Sequence, residues 1–471
     1  MIQVSLVSGQ SVAVSVSPSS TIHMLGTRAE EAFNLGPLTL LGPLGRRLPR
    51  AETVDSAGLR AGDVVTALVT PPKLAATRSA FALLSRGEVV SWNAALGGLR
   101  DDLQDVQQIQ SSDFAFAAIL AGGSVVTWGD EDEGGDSGEV QDRLVGVQAI
   151  QSTGFAFAAI LSDGSVVTWG DPEFGGDSSS VQDQLRDVRD IQASAHAFAA
   201  ILECGAVVTW GDESRGGDCS AVQDLLRDVR AIQSAESAFA AILSDGSVVC
   251  WGDREDGGDC SAVRERLKGV RAIQSNSSAF AALLDDGSVV SWGDPRVGGD
   301  CSAVQEELRG VEQIQSADFA FAAILAGGSV VTWGDEEDGG DSGEVRDRLV
   351  GVQAIQSSTR AFAALCADGS VVAWGDANFG GDATPVEHLL RDVLEIQASE
   401  AAFAARKADG TVVTWGSPAH GGDSSRVSHE LLEVQQIQAS DAAFVALRSD
   451  GSLVAWGEPL SGGYCGTVPL K

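Results

Sequence analysis

Basic residues are scarce in this chain. Lysine and arginine together number 31, against 66 aspartates and glutamates, which gives a formal net charge of -35 over 471 residues. The first 72 residues are balanced, with five arginines and five acidic side chains, so the negative charge lies in residues 73–471. Because nucleic-acid affinity depends largely on cationic side chains that displace counterions from phosphates, this composition argues against direct binding of DNA or RNA.

Long apolar runs and paired cysteine motifs are missing as well. No stretch reaches the roughly 18–20 apolar residues of a membrane-spanning helix. The N-terminal "MIQVSLVSGQSVAVSVS" alternates apolar and polar residues, without the basic start and apolar centre of a secretion signal. The seven cysteines are odd in number and have no C-x-x-C spacing, which predicts reduced thiols. We therefore expect a cytoplasmic or nuclear protein with no membrane partner.

The residues from which a reaction centre is built are also few. The glycines stand at fixed turn positions and form no phosphate-binding motif. The histidines fall at different offsets in the repeat described below, and we expect none of them beside a plausible serine or cysteine nucleophile. They are His23, His196, His388, His420 and His429. The sequence therefore predicts a protein that is not an enzyme, with no catalytic residue and no cofactor.

The first seventy residues have the pattern of a small α+β domain. Two alternating segments, around Val4 and Val14, flank "SGQS" and predict a β-hairpin. Thr21 is placed to cap a helix whose apolar residues follow at helical spacing. A short strand in "LTLLGPLGRRL" and a last strand, "GDVVTALV", complete the order of a β-grasp domain.

This segment resembles ubiquitin in "PSSTI" and in the late strand. The resemblance implies an interaction patch at Val7, Leu41 and Leu68, although these are equally interpreted as ordinary half-buried strand residues. Ubiquitin ends in a free di-glycine, whereas this chain continues through "TPPKL", so the domain is built in and is not a conjugated modifier. The predicted organisation is a ubiquitin-like domain at residues 1–70, a proline-containing linker at 71–75 and a repeat domain at 76–471.

Tryptophan marks a repeat along the rest of the chain. The first two tryptophans are 36 residues apart and every later pair is separated by 41, which is a strong repeat signal. The ten are Trp92, Trp128, Trp169, Trp210, Trp251, Trp292, Trp333, Trp374, Trp415 and Trp456.

One unit predicts three strands, at residues 147–152, 155–161 and 165–169, with Asp163 and Gly164 in a hairpin turn. The last two strands are apolar on both faces, so each unit must stack on its neighbours. A segment such as "SSSVQDQLRDV" predicts a short helical turn, capped by the aspartate of the preceding "GGD". Cys219, Cys260 and Cys301 share one offset in consecutive units, where they are expected to lie too far apart for a disulfide.

The unit resembles the regulator-of-chromosome-condensation repeat family in "V-x-x-I" and in "A-x-x-x-D-G-x-V-x-x-W-G", over residues 73–471. Its length looks more like that of the bacterial β-lactamase-inhibiting propellers. The resemblance implies a mainly β protein in which the β-grasp domain precedes a β-propeller-like array of about ten repeats, each with about three strands and a short helical turn. Relatives usually have seven blades, so the ring size and its closure stay open. The phrase "FAFAAILAGGSVVTWGDE" begins at Phe114 and again at Phe319, which indicates duplication of a five-repeat block.

Acidic loops follow most of the tryptophans, as in "GDEDEGGD" at residues 129–136. Their carboxylates are interpreted as turn caps and solvating groups, with divalent-cation binding as the alternative. If the units stack in register, the loops form a negative rim that favours a basic protein partner. The predicted binding residues of this rim are Asp130, Asp132, Asp171, Asp212, Asp253, Asp294 and Asp335.

These features favour a non-catalytic protein–protein interaction scaffold. Its acidic propeller-like platform would be coupled to a ubiquitin-like domain that engages components of the ubiquitin pathway. Family resemblance alone implies an alternative, guanine-nucleotide exchange on a small GTPase, and a purely structural role is a third hypothesis.

Overall fold

Alternating apolar residues at the N-terminus fold into one mixed sheet. The computed structural model describes residues 1–8, 10–33, 38–42, 46, 48, 52–69, 73–77, 80–85, 88–92, 103 and 106–464. The N-terminal elements are β1 (Ile2–Leu6), β2 (Ser11–Val14), α1 (Ile22–Phe33), β3 (Leu38–Leu41) and β4 (Val64–Val69). The strand order is β2-β1-β4-β3, with β1 and β4 parallel and the other pairs antiparallel. This is the predicted β-grasp arrangement.

The helix of this domain begins where the sequence predicts. The Thr21 hydroxyl oxygen accepts a hydrogen bond from the Met24 backbone N–H at 3.2 Å, which satisfies one of the free donors of the first turn. Leu25 and Ala29 on the helix are fully buried against Val4 and Val65 of the sheet. The domain therefore has its own apolar core. In the described part of the chain, no helix is both long and apolar enough to span a membrane.

The repeats form ten three-stranded antiparallel sheets in the described residues, here called blades 1 to 10. Blades 1 to 5 are β5 (Lys73–Ala76), β6 (Phe81–Ser85), β7 (Glu88–Trp92); β8 (Val106–Ser111), β9 (Ala115–Leu120), β10 (Val125–Gly129); β11 (Val147–Ser152), β12 (Ala156–Leu161), β13 (Val166–Gly170); β14 (Val188–Ala193), β15 (Ala197–Leu202), β16 (Val207–Gly211); and β17 (Val229–Ser234), β18 (Ala238–Leu243), β19 (Val248–Gly252). Blades 6 to 10 are β20 (Val270–Ser275), β21 (Ala279–Leu284), β22 (Val289–Gly293); β23 (Val311–Ser316), β24 (Ala320–Leu325), β25 (Val330–Gly334); β26 (Val352–Ser357), β27 (Ala361–Cys366), β28 (Val371–Gly375); β29 (Val393–Ala398), β30 (Ala402–Lys407), β31 (Val412–Gly416); and β32 (Val434–Ala439), β33 (Ala443–Arg448), β34 (Leu453–Gly457).

The first strand of blade 1 lies inside the segment predicted as linker. Lys73 already pairs with Leu84 in the sheet, so the array begins at residue 73 instead of 76. Backbone pairing with β6 makes these residues the first strand of the blade. The two prolines that precede them in the sequence favoured a linker instead. Pro71 and Pro72 lie outside the described residues.

Adjacent blades pack through unlike faces. Blade 2 presents the small side chains of Ala115 and Ala117, and blade 3 presents the Phe157 and Trp169 rings. The two rings are stacked, with centroids 5.3 Å apart. Leu144, on the segment that joins the two blades, is fully buried in the same cluster. Alanine on one face makes room for the aromatic pair on the next, which explains why both faces of each sheet are apolar.

The ring closes with blade 10 packed on blade 1. Phe81 of blade 1 lies in one apolar cluster with Ala443, Val445 and Leu447 of blade 10. The first strand of blade 1 contacts the first strands of both blade 2 and blade 10. A Cβ on Gly462, after the last strand, would lie only 2.6 Å from the Phe81 ring. The described residues therefore form a closed propeller-like ring of ten blades, which answers the question that the sequence left open.

The predicted helical turn after "GGD" is a short 3-10 turn in blades 2, 4, 6, 7 and 8, at Gln141–Arg143, Gln223–Leu225, Ser302–Val304, Gly343–Arg348 and Glu387–Leu389. In blades 3, 5 and 9 the same segment forms turns without a helix, as at residues 179–184. The loops directly after the third strands contain other 3-10 turns, at Pro172–Phe174, Glu213–Arg215, Pro295–Val297, Ala377–Phe379, Pro418–His420 and Pro459–Ser461, and wider five-residue turns at Glu131–Gly135, Arg254–Gly258 and Glu336–Gly340. The "GGD" aspartates cap the segments as predicted; the Asp177 carboxylate, for example, accepts from the Ser179 backbone N–H at 2.8 Å.

One pair of cysteines contradicts the prediction of reduced thiols. Cys250 on β19 and Cys260 in the loop that follows form a disulfide, with Cα atoms 5.9 Å apart. In blade 3 the equivalent positions hold Thr168 and Ser178, whose hydroxyl groups are 3.0 Å apart. The third strand and the loop that follows it thus meet within one blade, at positions ten residues apart. The prediction that cysteines lie too far apart concerned equivalent positions in neighbouring blades and does not apply to this pair. Cys204, Cys219, Cys301 and Cys366 are free.

Candidate functional site

One end of the ring collects the polar loops. We call it the loop face: it consists of the connections between first and second strands, residues 112–114 and their equivalents, and the loops after third strands, residues 130–136 and their equivalents. The two sets are tied together within each blade. The Asp130 backbone N–H donates to the Phe114 carbonyl at 3.1 Å, and Asp171 N–H to the Phe155 carbonyl at 3.0 Å. The acidic loops therefore all emerge on this face.

The strand connections are locked to one another around the ring. The Asp113 backbone N–H donates to the Gly154 carbonyl of the next blade at 3.0 Å, and Gly154 N–H to the Ala195 carbonyl at 3.2 Å. Serine hydroxyls donate in the opposite direction, as from Ser152 to the Ser111 carbonyl at 2.6 Å. Similar bonds join later blades, including Glu400 to the Asp441 carbonyl at 2.9 Å. These bonds fix the loop face as a rigid surface.

A cavity of about 750 Å³ opens among these connections. Carboxyl groups that line it belong to Asp113, Glu236, Glu400 and Asp441, and serine, threonine and alanine supply most of the remaining wall. His196 also lines it, and its Nδ1 lies 3.1 Å from the Glu236 carbonyl. The mouth of the ring is therefore polar, with carboxylates from several blades. These carboxylates were not among the predicted binding residues, which all follow tryptophans, although acids recur at one offset after the first strand.

The aspartates predicted to bind a partner first serve their own loops. Asp130 Oδ1 accepts from the Asp132 backbone N–H at 3.1 Å, and Asp212 Oδ1 accepts from Ser214 N–H at 2.9 Å. Asp171, Asp253, Asp294 and Asp335 accept equivalent bonds two residues on. Asp130 and Asp132 are exposed, while the others are half-buried. Six of the seven predicted aspartates, all except Asp132, therefore serve as turn caps of their own loops.

The loops differ in how their charge is neutralised. In blade 6 the Arg296 guanidinium lies 2.6 Å from Asp294, and its hydrogen bond lowers the pKa of that carboxyl. In blade 5 Arg254 lies 3.0 Å from Asp259. The loop of blade 2, "GDEDEGGD", contains no basic residue.

Within the described residues, no group of three or more histidine, cysteine or acidic side chains is arranged to hold a metal ion.

Arg360 marks a cation-binding arrangement on the loop face at blades 7 and 8. Its guanidinium carbon lies 4.9 Å from the centre of the Phe319 ring and 5.2 Å from that of Phe379. Asp338, which is 7% exposed, places Oδ2 3.5 Å from the Arg360 guanidinium. Burial raises the pKa of Asp338, and the charge of Arg360 opposes that shift. Two rings and a desolvated carboxylate thus surround one guanidinium.

The corresponding part of blades 2 and 3 is aromatic and acidic. Phe114 and Phe155 have ring centroids 6.4 Å apart, and Phe155 and Phe174 lie 4.5 Å apart. Glu133 lies in the adjoining loop, and its Oε2 is buried without a hydrogen-bond partner. Burial is the largest cause that raises the pKa of Glu133, and repulsion from neighbouring carboxylates raises it further. These carboxylates belong to Asp130, Asp113, Asp171 and Asp132.

One histidine stands beside a serine, contrary to the sequence interpretation. Ser417 Oγ lies 3.0 Å from His420 Nδ1, across a single 3-10 turn. Ser417 takes the position that an aspartate cap holds in earlier blades, which is why the offset comparison missed the pair. The other ring nitrogen of His420 is 4.0 Å from Glu400, whose side chain is 51% exposed. A catalytic triad needs a hydrogen-bonded carboxylate that orients the histidine, so we interpret this contact as part of the turn.

The predicted patch of the N-terminal domain lies on the sheet face away from the helix. Leu68 pairs with Thr39 and Leu41 with Thr66, so both leucines are on the side opposite the buried Val65. Leu68 is 38% exposed and Leu41 is half-buried. Val7, directly after β1, is 75% exposed. The structure thus brings Leu41 and Leu68 to one face of the sheet, and Val7 lies exposed in the turn after β1.

The described residues define the class of the protein: a mainly β chain in which a β-grasp domain precedes a propeller-like ring. Prp20p of Saccharomyces cerevisiae, which is yeast RCC1, is similar at 16% identity over 56% of this chain and 83% of that chain, with a TM-score of 0.33. The computationally designed Ika8 protein is similar at 16% identity over 66% of this chain and 96% of that chain, with a TM-score of 0.31. The CRINKLY WD40 ectodomain of the Arabidopsis thaliana receptor kinase ACR4 is similar at 15% identity over 57% of this chain and 97% of that chain, with a TM-score of 0.33.

No protein-family model matches the chain, and no curated protein matches it. At these TM-scores the similar structures carry no functional argument. The fold therefore rests on the sheets and contacts described above, and the function on the loop face.

Proposed function

We propose that this protein is a non-catalytic interaction scaffold whose loop face binds a protein partner with a basic surface. The observation that carries the proposal is the mouth of the ring, where carboxyl groups of Asp113, Glu236, Glu400 and Asp441 line one cavity of about 750 Å³. Backbone bonds between blades hold these groups in place, so little ordering is required when a partner binds. A fixed array of negative charge accelerates and orients the approach of a basic surface.

Salt dependence and selective neutralisation test this role. In the full-length chain, Glu236→Gln, Glu400→Gln and Asp441→Asn together remove three charges from the mouth. A control variant removes three charges from exposed sites elsewhere, Asp183→Asn, Asp224→Asn and Glu265→Gln, whose side chains are 101%, 99% and 91% exposed.

Both variants are captured on immobilised protamine over a range of salt concentrations. We expect the mouth variant to elute at distinctly lower salt than the control variant, because its three carboxyl groups line one cavity and act on the same bound surface, whereas isolated exposed charges are screened by salt. Equal elution of the two variants would show that only the net charge of the chain matters and would refute the proposed role of the loop face.

For the N-terminal domain we propose an adaptor role in the ubiquitin pathway, in the cytoplasm or nucleus. It is supported by the β-grasp topology, by the shared outward face of Leu41 and Leu68, and by the exposure of Val7. A triple variant with alanine at Val7, Leu41 and Leu68 is compared with Met24→Ala. Met24 is a suitable control because it is 46% exposed but lies on the helix, away from the predicted patch. Loss of captured ubiquitin-pathway proteins in the triple variant alone is the expected result, and an unchanged set of bound proteins would contradict it.

A further inference from the structure

Two sites five blades apart on the loop face are built from equivalent residues but differ in one charge. Five repeats of 41 residues separate the members of each pair. The pairs are Asp113 and Asp318, Phe114 and Phe319, Glu133 and Asp338, Phe155 and Arg360, and Phe174 and Phe379. We call the first set the blade 2–3 site and the second set the blade 7–8 site.

The blade 7–8 site contains its own cation. Arg360 lies 4.9 Å and 5.2 Å from the ring centres of Phe319 and Phe379 and 3.5 Å from Asp338. A planar guanidinium stacks on an aromatic face and bonds a carboxylate at its edge, which a compact ammonium group does less well. The chain itself therefore shows which chemical group satisfies this combination of two rings and a buried acid.

The blade 2–3 site keeps the rings and the acid but has no such cation. Phe155 replaces the arginine, and its ring is stacked with Phe114 and tilted against Phe174. Glu133 Oε2 is buried without a hydrogen bond, and among the described residues Glu133 forms no ion pair. A buried acceptor with no partner is costly, and the surrounding aspartates add repulsion to that cost. Phe114 is 37% exposed at the same place, which leaves an aromatic face open to solvent.

We propose that the blade 2–3 site receives an arginine side chain from a basic segment of the partner protein. The guanidinium stacks on the exposed Phe114 ring and pairs with the Glu133 carboxylate, as Arg360 does in cis with Phe319 and Asp338. This proposal rests on the proposed scaffold function and names its preferred contact. Asp113 and Phe155, which also line the mouth cavity, place the site where a bound segment crosses the ring.

The two halves of the chain supply reciprocal variants for a test. Phe155→Arg installs the internal cation of the blade 7–8 site and removes no carboxylate. Arg360→Phe removes that cation and converts the blade 7–8 site to the blade 2–3 form. The probe is a fluorescein-labelled octapeptide of alternating arginine and serine, and the reference probe carries lysine in place of arginine. Binding to the full-length chain is followed by fluorescence anisotropy, and circular dichroism verifies the fold of each variant.

We expect the wild-type protein to bind one arginine peptide at this type of site, with roughly tenfold preference over the lysine peptide. Phe155→Arg and Glu133→Gln are each expected to weaken binding about tenfold. Arg360→Phe is expected to bind a second peptide, which the stoichiometry measures.

The outcomes separate this inference from the proposed function. Equal binding of both peptides, or unchanged binding by Phe155→Arg, would overturn the arginine site while the mouth variant described above still tests the scaffold function. Binding of the arginine peptide that is lost only in the mouth variant, and not in Phe155→Arg or Glu133→Gln, would also overturn the arginine site. If neither peptide binds the wild-type protein even at low salt, the arginine site and the basic-partner function both fail.

Discussion

Packing between blades predicts a large cost for one added methyl group. Gly298 follows the turn Pro295–Val297 and has a φ of +101°, and its carbonyl accepts the Trp333 indole N–H at 3.0 Å. A Cβ at this position would lie 2.7 Å from the Phe321 ring and 3.3 Å from Trp333. The left-handed backbone costs an alanine about 1–2 kcal/mol, and overpacking adds about 1–3 kcal/mol. Gly298→Ala is therefore expected to destabilise the ring by about 2–5 kcal/mol.

Gly327→Ala is the matched control, because it lies in the neighbouring blade 7 but has open space where the Cβ would be. The assay is urea unfolding followed by tryptophan fluorescence, since the described tryptophan side chains of blades 2 to 10 are buried at blade interfaces. We expect a clearly lower urea midpoint for Gly298→Ala and a midpoint close to wild type for Gly327→Ala. Equal midpoints would show that Phe321 and Trp333 move aside freely, and the argument that the blades are tightly interlocked would be refuted.

Three further predictions concern single contacts. Trp292→Phe deletes the 3.0 Å hydrogen bond to the Gly257 carbonyl and is expected to cost about 1–3 kcal/mol, because a buried acceptor loses its donor; the same urea assay measures it, and a loss below 0.5 kcal/mol would contradict it. A reducing agent is expected to lower the thermal midpoint of the wild-type protein but not of a Cys250→Thr, Cys260→Ser variant, because the disulfide shortens the unfolded loop; an equal effect on both would contradict this. Burial raises the pKa of Glu133 above 4.5 in the folded state, so the folded state loses stability as the pH rises through that pKa and the carboxyl ionises. The free energy of unfolding of Glu133→Gln should therefore exceed that of the wild type above the folded pKa and equal it in acid. A constant difference between the two proteins at every pH would refute the assignment.

The repeat and its strands were predictable because they depend on local residue patterns. An apolar run, an Asp-Gly turn and a second apolar run ending in tryptophan specify a hairpin wherever they occur. The structure confirms these hairpins, as in the pairing of Phe157 with Trp169. The short helical turns also follow from sequence, but their type does not. A capped segment of about six residues is too short to sustain an α-helix, so the chain adopts short 3-10 turns in some blades and turns without a helix in others.

Contacts between blades were not predictable from the repeat alone. Closure depends on the angle at which each alanine face meets the next aromatic face, and that angle is not visible in a residue pattern. The arginine contact had a signal, since Phe155 and Arg360 are equivalent positions in the duplicated block. It was missed because the site combines side chains from two blades, Phe319 from one and Arg360 from the next. The Cys250–Cys260 disulfide had a signal of the same kind, at positions occupied by threonine and serine elsewhere.

The distribution of constant and variable positions explains how a repeated unit acquires a specific surface. Each blade has a fully buried phenylalanine of the series that begins with Phe81 and ends with Phe444. A change there disturbs two blades at once, because the ring packs between neighbours. The residue directly before the second strand, by contrast, is Phe114, Phe155, His196, Ser237, Ser278, Phe319, Arg360, Ala401 or Ala442 in blades 2 to 10. This position is held by backbone bonds that accept any side chain, so substitutions there change charge and stacking without changing the fold. Binding specificity in such a ring is therefore expected to arise where the repeat is broken on the loop face, and the exchange of Phe155 for Arg360 is one such break.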